Sequence, residues 1–271
     1  MQTSVRRRLL AASAVVAVAA AAPVGSAKAD LIDLAFLLDS TGSIGSDDFN
    51  NLILPGLGNA LDNNIRPLIG APDADTYRIT ISIFSETAQT VVTPTTVNTE
   101  ADLDDVLADL AASPFLGNRT NLALGLAEVE AQLAGLSSDG GILNISTDGI
   151  PNEPPGDPEG DALTAGQSLL DNTGLNAISA EGIGTFDLSF LEDLTALSVN
   201  GTVGSIPPAS FPADPLTTGF VVGVEDIADY GPAIEQKIAE IVDVPEPATL
   251  ALIGAGLAGI GFAHRRRRVA A

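Results

Sequence analysis

Residues 31–38, Leu-Ile-Asp-Leu-Ala-Phe-Leu-Leu, form an apolar run interrupted by a single aspartate. A run of this length suits a strand buried on both faces, and such strands belong to parallel sheets covered by helices on either side. The chain that follows keeps to that plan. Residues 141–145 form a second buried run, Ala177–Ile183 a glycine-bearing strand candidate, and 220–224 a last strand. Between them, apolar residues recur at helical spacing: Leu103, Val106, Leu107 and Leu110; then Leu122, Leu126, Val129, Leu133 and Leu136; then Ile234, Ile238 and Ile241. Residues 46–64 predict a helix with an acidic first turn, Asp47-Asp48, which Pro55 should kink or divide. Residues 78–84 and 90–93 read as a strand pair, 162–170 as a helix, and 187–198 as a helix capped by Asp187. The Pro- and Gly-rich stretches 151–160 and 200–218 read as loops. Alternating strands and helices predict an α/β fold, a doubly wound and mostly parallel sheet flanked by helices.

The two ends of the chain do not join this pattern. Residues 1–29 read as a secretory signal peptide: a basic start (Arg6, Arg7, Arg8), an apolar stretch over 9–22, and Ala27-Lys-Ala29 as a small-x-small cleavage site before Asp30. At the other end, Pro245-Glu246-Pro247 precedes the apolar stretch 248–263, which is followed by His264 and Arg265 to Arg268. Sixteen residues span about 24 Å as a helix, at the short edge of what crosses a bilayer. The arginines would stay on the cytoplasmic side and the bulk of the protein on the other. This tail closely resembles the PEP-CTERM sorting signal of Gram-negative bacteria, which implies recognition by an exosortase, removal of the helix and delivery to the cell surface or extracellular matrix. Within the same stretch Gly254-x-Gly256-x-x-Gly259 matches a dinucleotide-binding fingerprint, but no strand precedes it and no βαβ unit follows. Close packing of a membrane helix accounts for those glycines better.

One domain, 30–243, remains. It holds 34 of the 35 acidic residues and four basic ones, Arg66, Arg78, Arg119 and Lys237, a formal excess of 30 negative charges. Such a surface repels nucleic acid and anionic membranes. There is no cysteine, and the one histidine, His264, lies in the tail. Thiol chemistry, a Ser–His triad and a histidine- or cysteine-ligated zinc site are therefore excluded from the domain.

Three loops carry candidate ligands. Asp39, Thr41 and Ser43 stand in Leu-Asp-Ser-Thr-Gly-Ser directly after the first apolar run, Thr120 in Gly-Asn-Arg-Thr-Asn, and Asp148 in Ser-Thr-Asp-Gly after the second run. Taken singly, Asp39 and Thr41 would make a turn and a helix N-cap, Thr120 a cap, and Asp148-Gly149 a turn. Taken together, two carboxylates and three hydroxyls make a cage for one hard divalent cation. They converge only if the strands that carry them are neighbours. Glu153, Asp157, Glu159 and Asp161 offer a second acidic group, which a solvated loop explains.

In order and spacing these motifs resemble the von Willebrand factor A (VWA) domain, whose Asp-x-Ser-x-Ser signature appears here with Thr41 in place of the middle serine. The resemblance covers about 30–243. It implies a Rossmann-like fold with a metal-ion-dependent adhesion site: hydroxyl ligation by Thr41 and Ser43, direct or water-mediated ligation by Asp39 and Asp148, and Thr120 as a ligand in one conformational state. Mg²⁺ is the expected metal, with Mn²⁺ or Ca²⁺ as substitutes, and an open position would accept a carboxylate from a partner. Arg119 departs from the small residue common at that position and sets a cation beside the site. The expected function is an exported binding or adhesion module for an acidic group on an extracellular protein or exopolysaccharide. The alternatives are a hydrolase using Asp39 and Asp148 as a carboxylate pair or a metal-activated water, and a structural matrix protein with an inactive site.

Overall fold

The computed structural model describes residues 30–242, apart from 73 and 208–209. Seven strands make one sheet: β1 Leu31–Asp39, β2 Thr76–Phe84, β3 Ala88–Val97, β4 Gly140–Thr147, β5 Ala177–Ile183, β6 Thr202–Ile206 and β7 Gly219–Val224. Their spatial order is β3-β2-β1-β4-β5-β7-β6. All neighbours run parallel except β3, which is antiparallel to β2.

The continuous apolar run in β1 has the expected cause. Leu34, Phe36 and Leu38 enter one core layer, while Ala35 and Leu37 enter the other. The first layer lies beneath a π-helical segment Phe49–Ile53, which the short α1 Ser46–Asp48 leads into, and beneath α2 Leu54–Ile65, α3 Glu100–Ala111 and α7 Tyr230–Val242. The second lies beneath α4 Leu122–Leu133, α5 Pro158–Asn172 and α6 Leu188–Thr195. The fold is thus the expected doubly wound α/β sandwich.

Several boundaries differ from expectation, each for a local reason. Pro55 divides its helix through the π-helical turn just before it, because proline removes an N–H from the ladder. β3 runs on past the expected 90–93 and tolerates Pro94 because it is an edge strand. α4 stops at Leu133; Leu136, expected on its apolar face, lies beyond Gly135 (φ 77°) and is 39% exposed. α5 begins inside the expected 151–160 loop, where Asp157 Oδ1 accepts from Gly160 N and Pro158 opens the first turn. α6 ends at Thr195, earlier than expected. The stretch 200–218, read as loop, contains β6; its half-exposed Thr-Val-Gly-Ser-Ile pattern carried too little apolar signal to be recognised. The signal 1–29 and the tail 244–271 lie outside the described residues. Among the described residues no helix is long and apolar enough to cross a membrane.

The sheet is tightest where β1 meets β4. A Cβ on Gly141 would stand 2.6 Å from Asp33 Cβ and 2.7 Å from the Asp33 carbonyl oxygen. Backbone cannot yield there, so Gly141→Ala is expected to destabilise the domain by about 1–3 kcal/mol in a denaturant titration. A neutral result would mean that β1 and β4 can part locally.

The chain order places a ligand crevice. From β1 the chain passes through α2 to β2 on one side; through α4 it returns to β4 on the other. The carboxyl ends of β1 and β4 therefore flank the point where strand order reverses, the usual ligand position in open α/β sheets.

Candidate metal centre

All five candidate ligands meet at this crevice. Asp39 closes β1 and is 1% exposed; Asp148 follows β4 directly. Asp39 Oδ1 accepts from Thr41 N at 2.9 Å, and Oδ2 accepts from Thr147 Oγ1 at 2.6 Å. Thr41 Oγ1 and Ser43 Oγ are 3.0 Å apart, and Ser43 Oγ donates to Asp148 Oδ1 at 2.8 Å. A chain of oxygens thus leads from one carboxylate loop to the other. Thr120 is buried, and a Cβ on Gly149 would stand 3.3 Å from its Oγ1, so its hydroxyl faces the turn after Asp148.

Backbone bonds hold the loops in register. Gly42 N donates to Asn118 O, Gly117 N to Ser40 O, and Leu116 N to Ser40 Oγ. Gly117 (φ 71°) and Asn118 (φ 67°) are both left-handed, which turns the loop toward Gly42; glycine and asparagine bear that conformation best. Asn152 Oδ1 accepts from Thr120 N, while Asn152 N and Glu153 N donate to Thr120 O.

The capping alternatives fail on inspection. The residue preceding α1 is Gly45, not Asp39 or Thr41, and α4 is capped by Asn121 Oδ1 on Leu124 N, not by Thr120. The hydroxyls of Thr41 and Thr120 are turned to the crevice instead. Arg119 is solvent-facing and pairs with Glu153 and Glu86. Asp157 caps α5, Glu153 pairs with Arg119, and among the described residues no three acidic side chains converge as a metal-holding group. Sequence reading passed over Thr147, Ser40 and Asn152. Thr147 could have been suspected as a hydroxyl beside Asp148; the other two act across gaps of 76 and 32 residues and left no local signal.

Charge pairing tests the fit to a cation. Among the described residues three carboxylates are essentially buried: Asp33, Asp39 and Glu181. Asp33 pairs with Arg78 and Glu181 with Lys237. Asp39 has hydroxyls, an amide and Asp148 about it, and burial first, then the Asp148 charge, pushes it up to about 6. Asp148 is also raised, chiefly by burial and in spite of the Ser43 bond. The domain's other two basic residues, Arg66 and Arg119, are engaged with Asp62 and Asp104, and with Glu86 and Glu153. A buried carboxylate without a counter-charge is unfavourable. A divalent cation would supply that charge, and the oxygen-only donor set suits a hard one.

A groove of about 420 Å³ opens beside Ser43 and Asp148 and is also lined by Asp48, Thr185, Glu225 and Asp226.

Comparison with known proteins bears on this arrangement. The model of the von Willebrand factor type A domain matches residues 33–181, and that of the PEP-CTERM protein-sorting motif matches 243–268. No curated protein matches the chain in sequence. Among solved structures it is similar to the pilus adhesin SpaC from Lactobacillus rhamnosus GG, with 13% identity over 79% of this chain and 31% of that one and a TM-score of 0.58. It is similar to a von Willebrand factor type A protein from Catenulispora acidiphila, at 14% identity over 79% and 43%, TM-score 0.55. It is also similar to proximal thread matrix protein 1 from the mussel byssus, solved with a zinc-occupied MIDAS motif, at 15% identity over 80% and 48%, TM-score 0.54. The chain spans less than half the length of each. At these identities the likeness is one of fold.

Proposed function

The chain belongs to the von Willebrand factor type A domain family and ends in a PEP-CTERM sorting motif, and on that footing we propose an exported surface or matrix module that grips an acidic group on a protein or exopolysaccharide through a divalent cation. The ligands are Asp39, Thr41, Ser43, Thr120 and Asp148. The metal is Mg²⁺, with Mn²⁺ or Ca²⁺ able to replace it. The observation that carries this reading is Asp39: a buried carboxylate ringed by hydroxyls, with no basic partner among the described residues. Two carboxylates at most balance the charge of a divalent cation, and where they ligate through water the metal stays electrophilic, so an open position favours a carboxylate from outside. Residues 1–29 direct export, and an exosortase removes the apolar tail before the module joins the cell surface or a biofilm matrix.

A carboxylate-pair hydrolase is the weaker reading. Asp39 is 1% exposed, and both its oxygens already accept bonds, from Thr41 N and Thr147 Oγ1, a poor placement for work on an incoming bond.

Calorimetric titration of the purified chain with Mg²⁺, Mn²⁺ and Ca²⁺ tests the proposal. One saturable site is expected. Asp148→Ala should weaken it by about 100-fold or more, and Thr120→Ala by about 10-fold, with the fold retained. Equal binding in all three proteins would leave only diffuse association with an acidic surface and end the metal-site reading.

A further inference from the structure

A second polar cluster lies inside the first core layer, away from the crevice. Glu181 on β5 is fully buried and joins two nitrogens with one carboxylate. Its Oε1 accepts from Lys237 Nζ at 2.5 Å and its Oε2 from Asn144 Nδ2 at 2.6 Å. Lys237 on α7 and Asn144 on β4 are 0% and 2% exposed. Ser146 Oγ, which also donates to Oε2, lies 3.1 Å from Tyr230 Oη, and the Lys237 ammonium sits 4.9 Å from the centre of the Phe220 ring. On the far side of the amide, Ser179 Oγ lies 3.3 Å from Asn144 Oδ1.

An ion pair accounts for Lys237 and Glu181. It does not account for an amide held on the same carboxylate as the amine, in a water-excluded pocket walled by two aromatic rings. We propose that Lys237, Asn144 and Glu181 form a self-acting cross-linking site that joins α7 to β4 by an amide bond between side chains. In the step, Lys237 Nζ gives a proton to Glu181 Oε1 and attacks Asn144 Cγ as a neutral amine. The Cγ–Nδ2 bond breaks as the departing nitrogen takes up the proton held by Glu181 and the second proton of the attacking nitrogen, and it leaves as ammonium while Glu181 returns to carboxylate. One C–N bond forms and one breaks, and no oxidant or reductant is required. Ser179 stands where a donor would steady the negative charge on Oδ1. Burial lowers the lysine from its ordinary value, which favours the nucleophilic form.

Such a bond would staple the strand that leads to Asp148 to the last helix of the domain. It would also give a covalent brace to an exported chain that has no cysteine and hence no disulfide.

The test is proteolytic digestion of the purified full chain followed by tandem mass spectrometry. The expected product is a branched peptide joining the segments around Asn144 and Lys237, lighter than the two together by one ammonia. Linear peptides carrying intact Asn144 and Lys237 would overturn the proposal, and the wild-type chain alone decides between the two, whether or not any variant folds. Lys237→Met and Glu181→Gln, checked for native circular dichroism, are expected to give linear peptides only. A branched peptide persisting in Glu181→Gln would overturn the proton-transfer role of Glu181.

Discussion

In a chelating buffer at pH 7, Asp39→Asn is expected to make the domain more stable, by up to about 3 kcal/mol, and in saturating Mg²⁺ the order of the two proteins should reverse. The first half follows from burial, which raises the Asp39 carboxylate from 3.8 to about 6 in the folded protein. A carboxyl whose folded value lies above its unfolded value takes up a proton on folding. Wild type without metal therefore loses stability as pH rises from about 4 to about 6, and at pH 7 the whole penalty is present. Asparagine carries no such charge. The gap between the two proteins should close as pH falls from 7 toward 4, while other carboxylates cancel in the comparison. The second half follows from mass action: a cation that binds the folded wild type stabilises it by RT ln(1 + [L]/Kd), and the variant gains little. Thermal or urea melts with chelator and with Mg²⁺ read both signs. A variant less stable than wild type in chelator as well would make Asp39 an ordinary acceptor for Thr41 and Thr147, and the metal reading would lose its main support.

The other large effect is expected far from the crevice. Arg78→Met should cost about 3–5 kcal/mol, much of what holds a domain of this kind together. Arg78 Nε and Nη2 each lie 2.7 Å from an Asp33 oxygen, in a forked pair, and Nη1 donates to Ser137 O at 3.3 Å. Asp33 is 1% exposed, and removing the guanidinium strands its charge between β1 and β2, where the two residues stand directly opposite. The double variant Asp33→Asn/Arg78→Met should recover more than half of the loss, because the cost lies in the stranded charge more than in the missing bond. Urea denaturation at pH 7 decides it. A double variant no better than Arg78→Met alone would place the cost in packing of the arginine stem.

Asp33 also marks the limit of what the sequence could tell. As the one charge in the 31–38 run it gave no sign of its partner 45 residues away, since pairing depends on β1 and β2 being neighbours. β1, β4, β5 and β7 were legible because both of their faces are buried and apolarity is then continuous. The full length of β3 and the whole of β6 were not, because edge strands are half wetted and carry a weak pattern. The same division holds at the crevice. Asp39, Thr41, Ser43, Thr120 and Asp148 stood out as residue types in order, but their convergence is a property of strand order. Thr147, Ser40 and Asn152, which hold the loops in place, work through contacts that no local window contains.

The two rims of the sheet bear on behaviour at high concentration. At one, β3 carries Pro94 and its register against β2 breaks between Ile79 and Ser82. At the other, β6 is five residues long, Gly204 is left-handed (φ 74°), and pairing with β7 skips from Thr202 to Ser205. Neither rim offers the long, flat row of backbone donors and acceptors on which a second chain could dock as an added strand. Copies crowded together, each with a large negative charge, are thus steered away from adding to one another strand by strand at these rims.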